Sequence, residues 1–215
     1  MLKRLNRDEM ARRLAADIPS GSYVNIGIGM PELVARYLDP EKEILLQSEN
    51  GILGMGPPAE QGHEDTELIN AGKKPVTLLT GGAYFDHVVS FAMMRGGHLD
   101  ICIMGGMQVS ASGDLANWNL GRPGEPPAVG GAMDLAVGAR RVFILMEHNA
   151  KDGSPKILPA CTLPLTGMGV VSRIYTDLAV LEVTPAGLQV LQMNDGLTFD
   201  ELQAHTGARL LPLDA

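Results

Sequence analysis

Glu49 stands in the run Leu46-Gln47-Ser48-Glu49-Asn50-Gly51-Ile52-Leu53-Gly54-Met55-Gly56, a carboxylate directly after an apolar stretch and before closely spaced glycines. With a reference pKa of about 4.3, a glutamate is ionised at neutral pH yet is a weak nucleophile. To act as one it needs placement against its target and donors for the charge it creates. A loop of small residues could admit a large substrate and show it backbone N–H groups. The same residues equally describe a glutamate that caps a turn, beside glycines that allow positive φ. Three other junctions share this character: Asn25 to Gly29, Gly105 to Gln108, and Glu147 with His148.

These junctions matter because of what precedes them. Tyr23-Val24-Asn25-Ile26, Ile44-Leu45-Leu46, Val76-Thr77-Leu78-Leu79, Leu99 to Met104 and Val142 to Met146 are short, nearly continuous apolar runs, as strands buried on both faces require. Helical patterns lie between them near Phe85 to Met94 and Met133 to Gly138, and Pro31 is placed to open a helix running to about Tyr37. The predicted fold is α/β: an open, mainly parallel sheet flanked by helices, in one domain over residues 1–215. In such sheets ligands bind outside the carboxyl ends of the strands, where the four junctions fall.

At the N-terminus, Asn6 and Glu9 form a capping box for a helix carrying Met10, Leu14 and Ile18 on one face. Near the other end, Leu178 to Val183 and Leu188 to Met193 flank Thr184-Pro185-Ala186-Gly187 as a hairpin. Thr198 and Glu201 then cap a last helix that stops at Gly207.

Composition excludes several classes. A net charge of -8 and 45% hydrophobic residues over 215 positions suit a globular protein with an aliphatic core and argue against a nucleic-acid partner. No apolar stretch reaches the ~18 to 20 residues of a membrane span, and Met1 to Leu5 is followed by charged residues, unlike a secretory signal. Cys102 and Cys161 form no CxxC pair, so a metal site, a disulfide framework and an oxidising compartment are not indicated. A cytoplasmic location is the expectation. Gly27-Ile28-Gly29 lacks the third glycine of a dinucleotide fingerprint, no glycine loop ends in Lys-Ser/Thr, and there is no Gly-x-Ser-x-Gly elbow. Lys151 to Lys156 reads as a surface loop.

The run Leu46 to Gly54 closely resembles the active-site signature of the family I 3-oxoacid CoA-transferases, in the subunit called B or beta. The resemblance extends in collinear order through Val24 to Gly29, Leu68 to Lys73, Met94 to Asp100, Gly113 to Trp118, Val129 to Leu135, Leu163 to Gly167 and Thr176 to Val180. It implies the family fold, shared with certain sugar-phosphate isomerases, and a nucleophilic role for Glu49. No cofactor is permanently bound on this reading; coenzyme A is a substrate and forms a covalent glutamyl-CoA thioester. The resemblance further implies that Asn25, Lys73, Gly131 and Ala132 line the active site and CoA cleft. It also implies a partner A (alpha) subunit in an A2B2 heterotetramer, with succinyl-CoA and a 3-oxo acid as substrates. His98 and Asp114 lie in family-like runs but are read as structural.

Within the family, Asn119-Leu120-Gly121-Arg122-Pro123-Gly124-Glu125-Pro126-Pro127 after Trp118 resembles 3-oxoadipate enzymes more than acetoacetate enzymes, and Thr80 to Phe85 leans the same way. A dicarboxylate needs a cation for its distal carboxylate, and Arg122 is the candidate in this divergent loop. The competing classes are an isomerase on a related fold and a non-catalytic scaffold subunit.

Overall fold

The structure is a computed structural model describing residues 2–121 and 129–213. Helix α1 (Arg7–Ala16) begins at the expected capping box: Asn6 Oδ1 accepts from Glu9 N at 2.9 Å and Glu9 Oε2 from Asn6 N at 2.7 Å. Strand β1 (Tyr23–Ile26) follows, and the segment opened by Pro31 is a 3-10 helix, Met30–Tyr37, rather than an α-helix. Strands β2 (Leu45–Ser48), β3 (Ile52–Met55) and β4 (Leu78–Tyr84) precede α2 (His87–Arg95) and β5 (Ile101–Met104). Short strands β6 (Gln108–Ser110) and β7 (Leu115–Ala116) come next, then α3 (Ala132–Gly138) and β8 (Arg141–Leu145). The chain closes with β9 (Ile157–Leu158), β10 (Arg173–Tyr175), β11 (Ala179–Thr184), β12 (Gly187–Met193), α4 (Phe199–His205) and β13 (Leu210–Leu211).

Ten strands form one sheet in the order β13-β12-β11-β10-β8-β5-β1-β2-β3-β4, while β7, β6 and β9 make a small second sheet. From β10 to β2 every pairing is parallel; β2-β3-β4 and β10-β11-β12 are antiparallel. The parallel centre explains the unbroken apolar runs, since both faces are covered. Alternation divides them: Ile101, Ile103, Phe143 and Leu145 face the core under α1 with Met10, Leu14 and Ile18. Cys102, Met104, Val142 and Ile144 face the other way, toward Met94 of α2 and Leu135 of α3. Burying a side chain of this size stabilises the fold by about 1.5–3 kcal/mol.

Two departures from expectation touch the site. The residues after Glu49 are not an open glycine loop, for Ile52–Met55 turns back as β3 against β2. The strand expected over Val76 to Leu79 begins at Leu78 and continues to Tyr84, pairing antiparallel with β3. Arg122 lies outside the described residues.

Candidate functional site

Glu49 is the first residue of a tight turn between Ser48, which ends β2, and Ile52, which begins β3. The turn closes through Gly51 N donating to Ser48 O at 3.0 Å, and Gly51 O accepts from Phe85 N at 3.0 Å. Gly51 has φ +112, and a Cβ there would collide with the Phe85 carbonyl, so no other residue suits the position. The turn reading was therefore half right: Glu49 sits in a turn, but its side chain does not cap it. Among the described residues no group hydrogen-bonds the Glu49 carboxylate.

The neighbours of that carboxylate come from α2 and α3. Gly131, the N-cap of α3, approaches so closely that an added Cβ would overlap Glu49 Oε2 and stand 3.2 Å from Cδ and 3.3 Å from Phe91 Cζ. Burial pushes the Glu49 pKa up; positive charge on His87 would lower it, and Asp134 raises it further. Asp134 is itself paired with Arg95 at 2.6 Å, and His87 stacks on Phe91 with ring centroids 4.5 Å apart. Buried Cys102 of β5 has its thiol pKa raised by burial and by the Glu49 charge. A partly desolvated carboxylate with unfilled lone pairs is a better nucleophile than one in water.

Asn25 of β1 is 3% exposed, and its Nδ2 donates to Gln47 Oε1 at 2.6 Å and to Gln47 O at 3.2 Å. Gln47 Nε2 donates in turn to Ser90 Oγ of α2 at 2.8 Å. This buried chain ties β1, β2 and α2 together immediately before Glu49, so the backbone feeding the turn is held by satisfied polar groups. On the far side, Ser48 Oγ accepts from Ala71 N at 3.1 Å and Asn50 Nδ2 donates to Ile69 O at 2.7 Å. Those bonds strap the 69–75 turn to the Glu49 hairpin.

Around Glu49 opens a cavity of about 540 Å³ lined from β1 by Asn25 to Ile28, from β2 by Ser48 and Glu49, from the strap by Ala71, and from β5 by Met104 to Met107. Asn117 and Trp118 close one wall, Val129 to Ala132 another. Of the expected site residues, Asn25, Glu49, Gly131 and Ala132 thus share one cavity. Lys73 does not line it: it sits two residues past Ala71 in a left-handed conformation, φ +61, with an exposed side chain on the strap's rim. The fourth junction also stays out. His148 is fully buried between Thr176 Oγ1 and Thr206 Oγ1 at 2.9 and 2.8 Å, and burial lowers its pKa to about 4; Glu147 pairs with Arg7 at 2.9 Å.

A family whose description is Coenzyme A transferase matches residues 7–204. The chain belongs to the coenzyme A transferase family. It is 62% identical over 97% of its length to the B subunit of the 3-oxoadipate CoA-transferase of Pseudomonas putida, covering 98% of that protein. It is 48% identical, over 94% of its length and 93% of the relative's, to the B subunit of a probable succinyl-CoA:3-ketoacid coenzyme A transferase of Bacillus subtilis. Among solved structures, an acyl-CoA transferase of Escherichia coli O157:H7 aligns over 99% of this chain with a TM-score of 0.75 at 19% identity. This chain spans 43% of that larger one, and the likeness is one of fold.

For a coenzyme A transferase the cavity also has walls that reasoning from residue types missed. Trp118 Nε1 donates to Leu165 O at 3.1 Å and Asn117 Nδ2 to Gly105 O at 3.1 Å, pinning one wall to the β5 exit loop. Both lie in a run that resembles the family, Gly113 to Trp118, and that was the available signal. Among the described residues no helix is long and apolar enough to cross a membrane.

Proposed function

We propose that this chain is the B-type subunit of an enzyme that moves CoA from succinyl-CoA to 3-oxoadipate through a glutamyl-CoA thioester on Glu49. The observation that carries this reading is the Glu49 carboxylate itself: strand-end, partly desolvated, without hydrogen bonds from the described residues, and facing a cavity large enough for a thioester. In the first step a Glu49 carboxylate oxygen attacks the acyl carbon of succinyl-CoA. The C–S bond breaks and leaves an acyl-glutamyl anhydride and CoA thiolate. The thiolate attacks the glutamyl carbonyl, succinate departs, and Glu49 carries CoA as a thioester. The acceptor carboxylate then attacks that thioester, and the released thiolate attacks the acceptor's acyl carbon, restoring Glu49. No proton or redox partner is consumed.

Each step creates an oxyanion, and the backbone N–H of Gly131 is the proposed donor, worth about 3 kcal/mol in comparable sites, since the N–H of Ala132 already donates to Val129 O at 3.2 Å. Asn25 holds the Glu49 strand in place, and the long CoA moiety supplies remote binding energy that keeps the thioester against the carboxylate. Lys73, on the rim, is placed to meet a CoA phosphate or a partner surface rather than the reacting atoms. The names of the relatives support 3-oxoadipate as acceptor and, as partner, an A subunit, with A2B2 as the proposed assembly. Acetoacetate is the second reading, favoured by the 48% identical relative.

The test uses the chain assembled with its A subunit. Succinyl-CoA followed by borohydride should reduce the glutamyl thioester and change the mass of the peptide containing Glu49. An unmodified Glu49 in turning-over enzyme refutes the mechanism, and full transfer by this chain alone refutes the need for a partner.

A further inference from the structure

Beside the main cavity lies a second one of about 200 Å³, and the two share Ile28, Gly105 and Gly106 as a common rim. Their linings differ in charge. Among the described lining residues of the main cavity, Glu49 is the one ionisable side chain. The annex is lined by Arg7, Glu147 and Lys156. Arg7 and Glu147 neutralise one another at 2.9 Å. Lys156 is half-buried, and among the described residues no carboxylate lies within ion-pair distance of its Nζ. Glu147 and Asp177 are near enough to favour its charge, but Glu147 is held by Arg7 and Asp177 by Arg4 at 2.6 Å. Burial lowers the Lys156 pKa, the mark of a cation short of water.

We infer that Lys156 binds the distal carboxylate of a dicarboxylic substrate whose other end reacts at Glu49. Glu49 follows β2 and Glu147 follows β8, three strands along the sheet order, which at ~4.8 Å per strand separates them by about 14 Å. Glu49 lines the main cavity and Lys156 the annex, so a short diacid lying across the shared Gly105 rim would present one end to each. Gly105 leaves the passage open, since a Cβ built there meets nothing within 4 Å. A monocarboxylic 3-oxo acid has nothing to offer Lys156, so the annex would select diacids, serving succinyl-CoA and 3-oxoadipate alike. The inference rests on the proposed dicarboxylate chemistry, and it names Lys156 where residue types alone pointed to Arg122.

The experiment compares Lys156→Met, Lys156→Arg, Gly105→Leu and Arg122→Ala, each assembled with the A-type partner. The readouts are the ratio of kcat/KM for 3-oxoadipate to that for acetoacetate, and the inhibition constants of succinate and of free CoA. Lys156→Met should lower the ratio about tenfold or more and weaken succinate inhibition in step, while Lys156→Arg restores both. Gly105→Leu, which narrows the passage without touching the charge, should lower the ratio too and guards against a misfolded Lys156→Met. An unchanged ratio in a folded Lys156→Met enzyme overturns the inference, as does a loss found in Arg122→Ala instead. A greater loss of inhibition by free CoA than by succinate also overturns it, assigning Lys156 to a phosphate. If wild-type enzyme rejects 3-oxoadipate, the substrate reading fails separately, and succinate inhibition still decides the role of Lys156.

Discussion

Replacing Gly131 with alanine puts one methyl group against the Glu49 carboxylate and nothing else polar is altered. The built Cβ stands 3.2 Å from Glu49 Cδ, nearer still to Oε2, and 3.3 Å from Phe91 Cζ. Carbon atoms rest comfortably at about 3.5–4.0 Å, so Phe91 blocks one escape and Glu49 must withdraw by roughly 1 Å. The backbone accepts the change, because Gly131 has φ -84 and ψ 6, a conformation open to alanine. Misplacing a reacting group by about 1 Å costs on the order of 100-fold, or ~2.7 kcal/mol of transition-state stabilisation. Steady-state transfer by the assembled Gly131→Ala enzyme should therefore show kcat/KM down about 100-fold, with Glu49 labelling by succinyl-CoA and borohydride slowed to match. The melting temperature should move by only a few degrees, since Glu49 can relax into the open cavity. A rate within about threefold of wild type would refute the proposal that the carboxylate reacts from its place against Gly131.

Glu49→Gln should reduce kcat by at least about a thousandfold, and it should also stabilise the chain. Burial raises the folded pKa above the unfolded value, so the native state holds more protons in the window from about pH 4.3 upward and stability falls as pH rises through it. Thermal melts at neutral pH should find the glutamine variant more stable, with the advantage vanishing in acid. The buried His148 behaves oppositely: its pKa falls from 6.5 to about 4, so the stability it contributes is present above pH 6.5 and lost as pH falls through 4. Denaturant titrations should show a loss of about 3 kcal/mol over that interval that His148→Gln does not share. Asn25→Ala strips the donor from buried Gln47 Oε1 and should cost about 1–3 kcal/mol in urea unfolding, with kcat falling as the Glu49 turn loosens.

Much of the frame could be read from residue order alone. Capping boxes at Asn6/Glu9 and Thr198/Glu201 are local hydrogen-bond patterns within four residues, so the chain declares them without help. The runs at β5 and β8 are buried on both faces and so carry an unmistakable apolar signature. The antiparallel flank was less visible. Strand β3 is a short apolar run interrupted by Gly54, and β4 reads Leu78-Leu79-Thr80-Gly81-Gly82-Ala83-Tyr84 with mostly exposed residues, so β4 neither alternates nor runs apolar. Pairing of β3 with β2, and of β4 with β3, makes them strands.

At the site the same division holds. Residue types and spacing marked Glu49 as a carboxylate at a strand end, and they marked Asn25, Gly131 and Ala132 through their resemblance to a family. They left turn cap and nucleophile equally open for Glu49, because both need the same backbone and differ only in where the side chain points. Tertiary structure adds where the side chain lies: Gly131, more than eighty residues from Glu49 along the chain, is brought against the carboxylate, with Phe91 beside Gly131. It also put Lys73 on the rim and Lys156, the half-buried last residue of an otherwise mostly exposed loop, at the edge of the annex. Local sequence determines the capped helices and the central strands; the flanking strands, and which charges are left unneutralised beside a substrate, depend on contacts between distant segments, and only the assembled sheet supplies those.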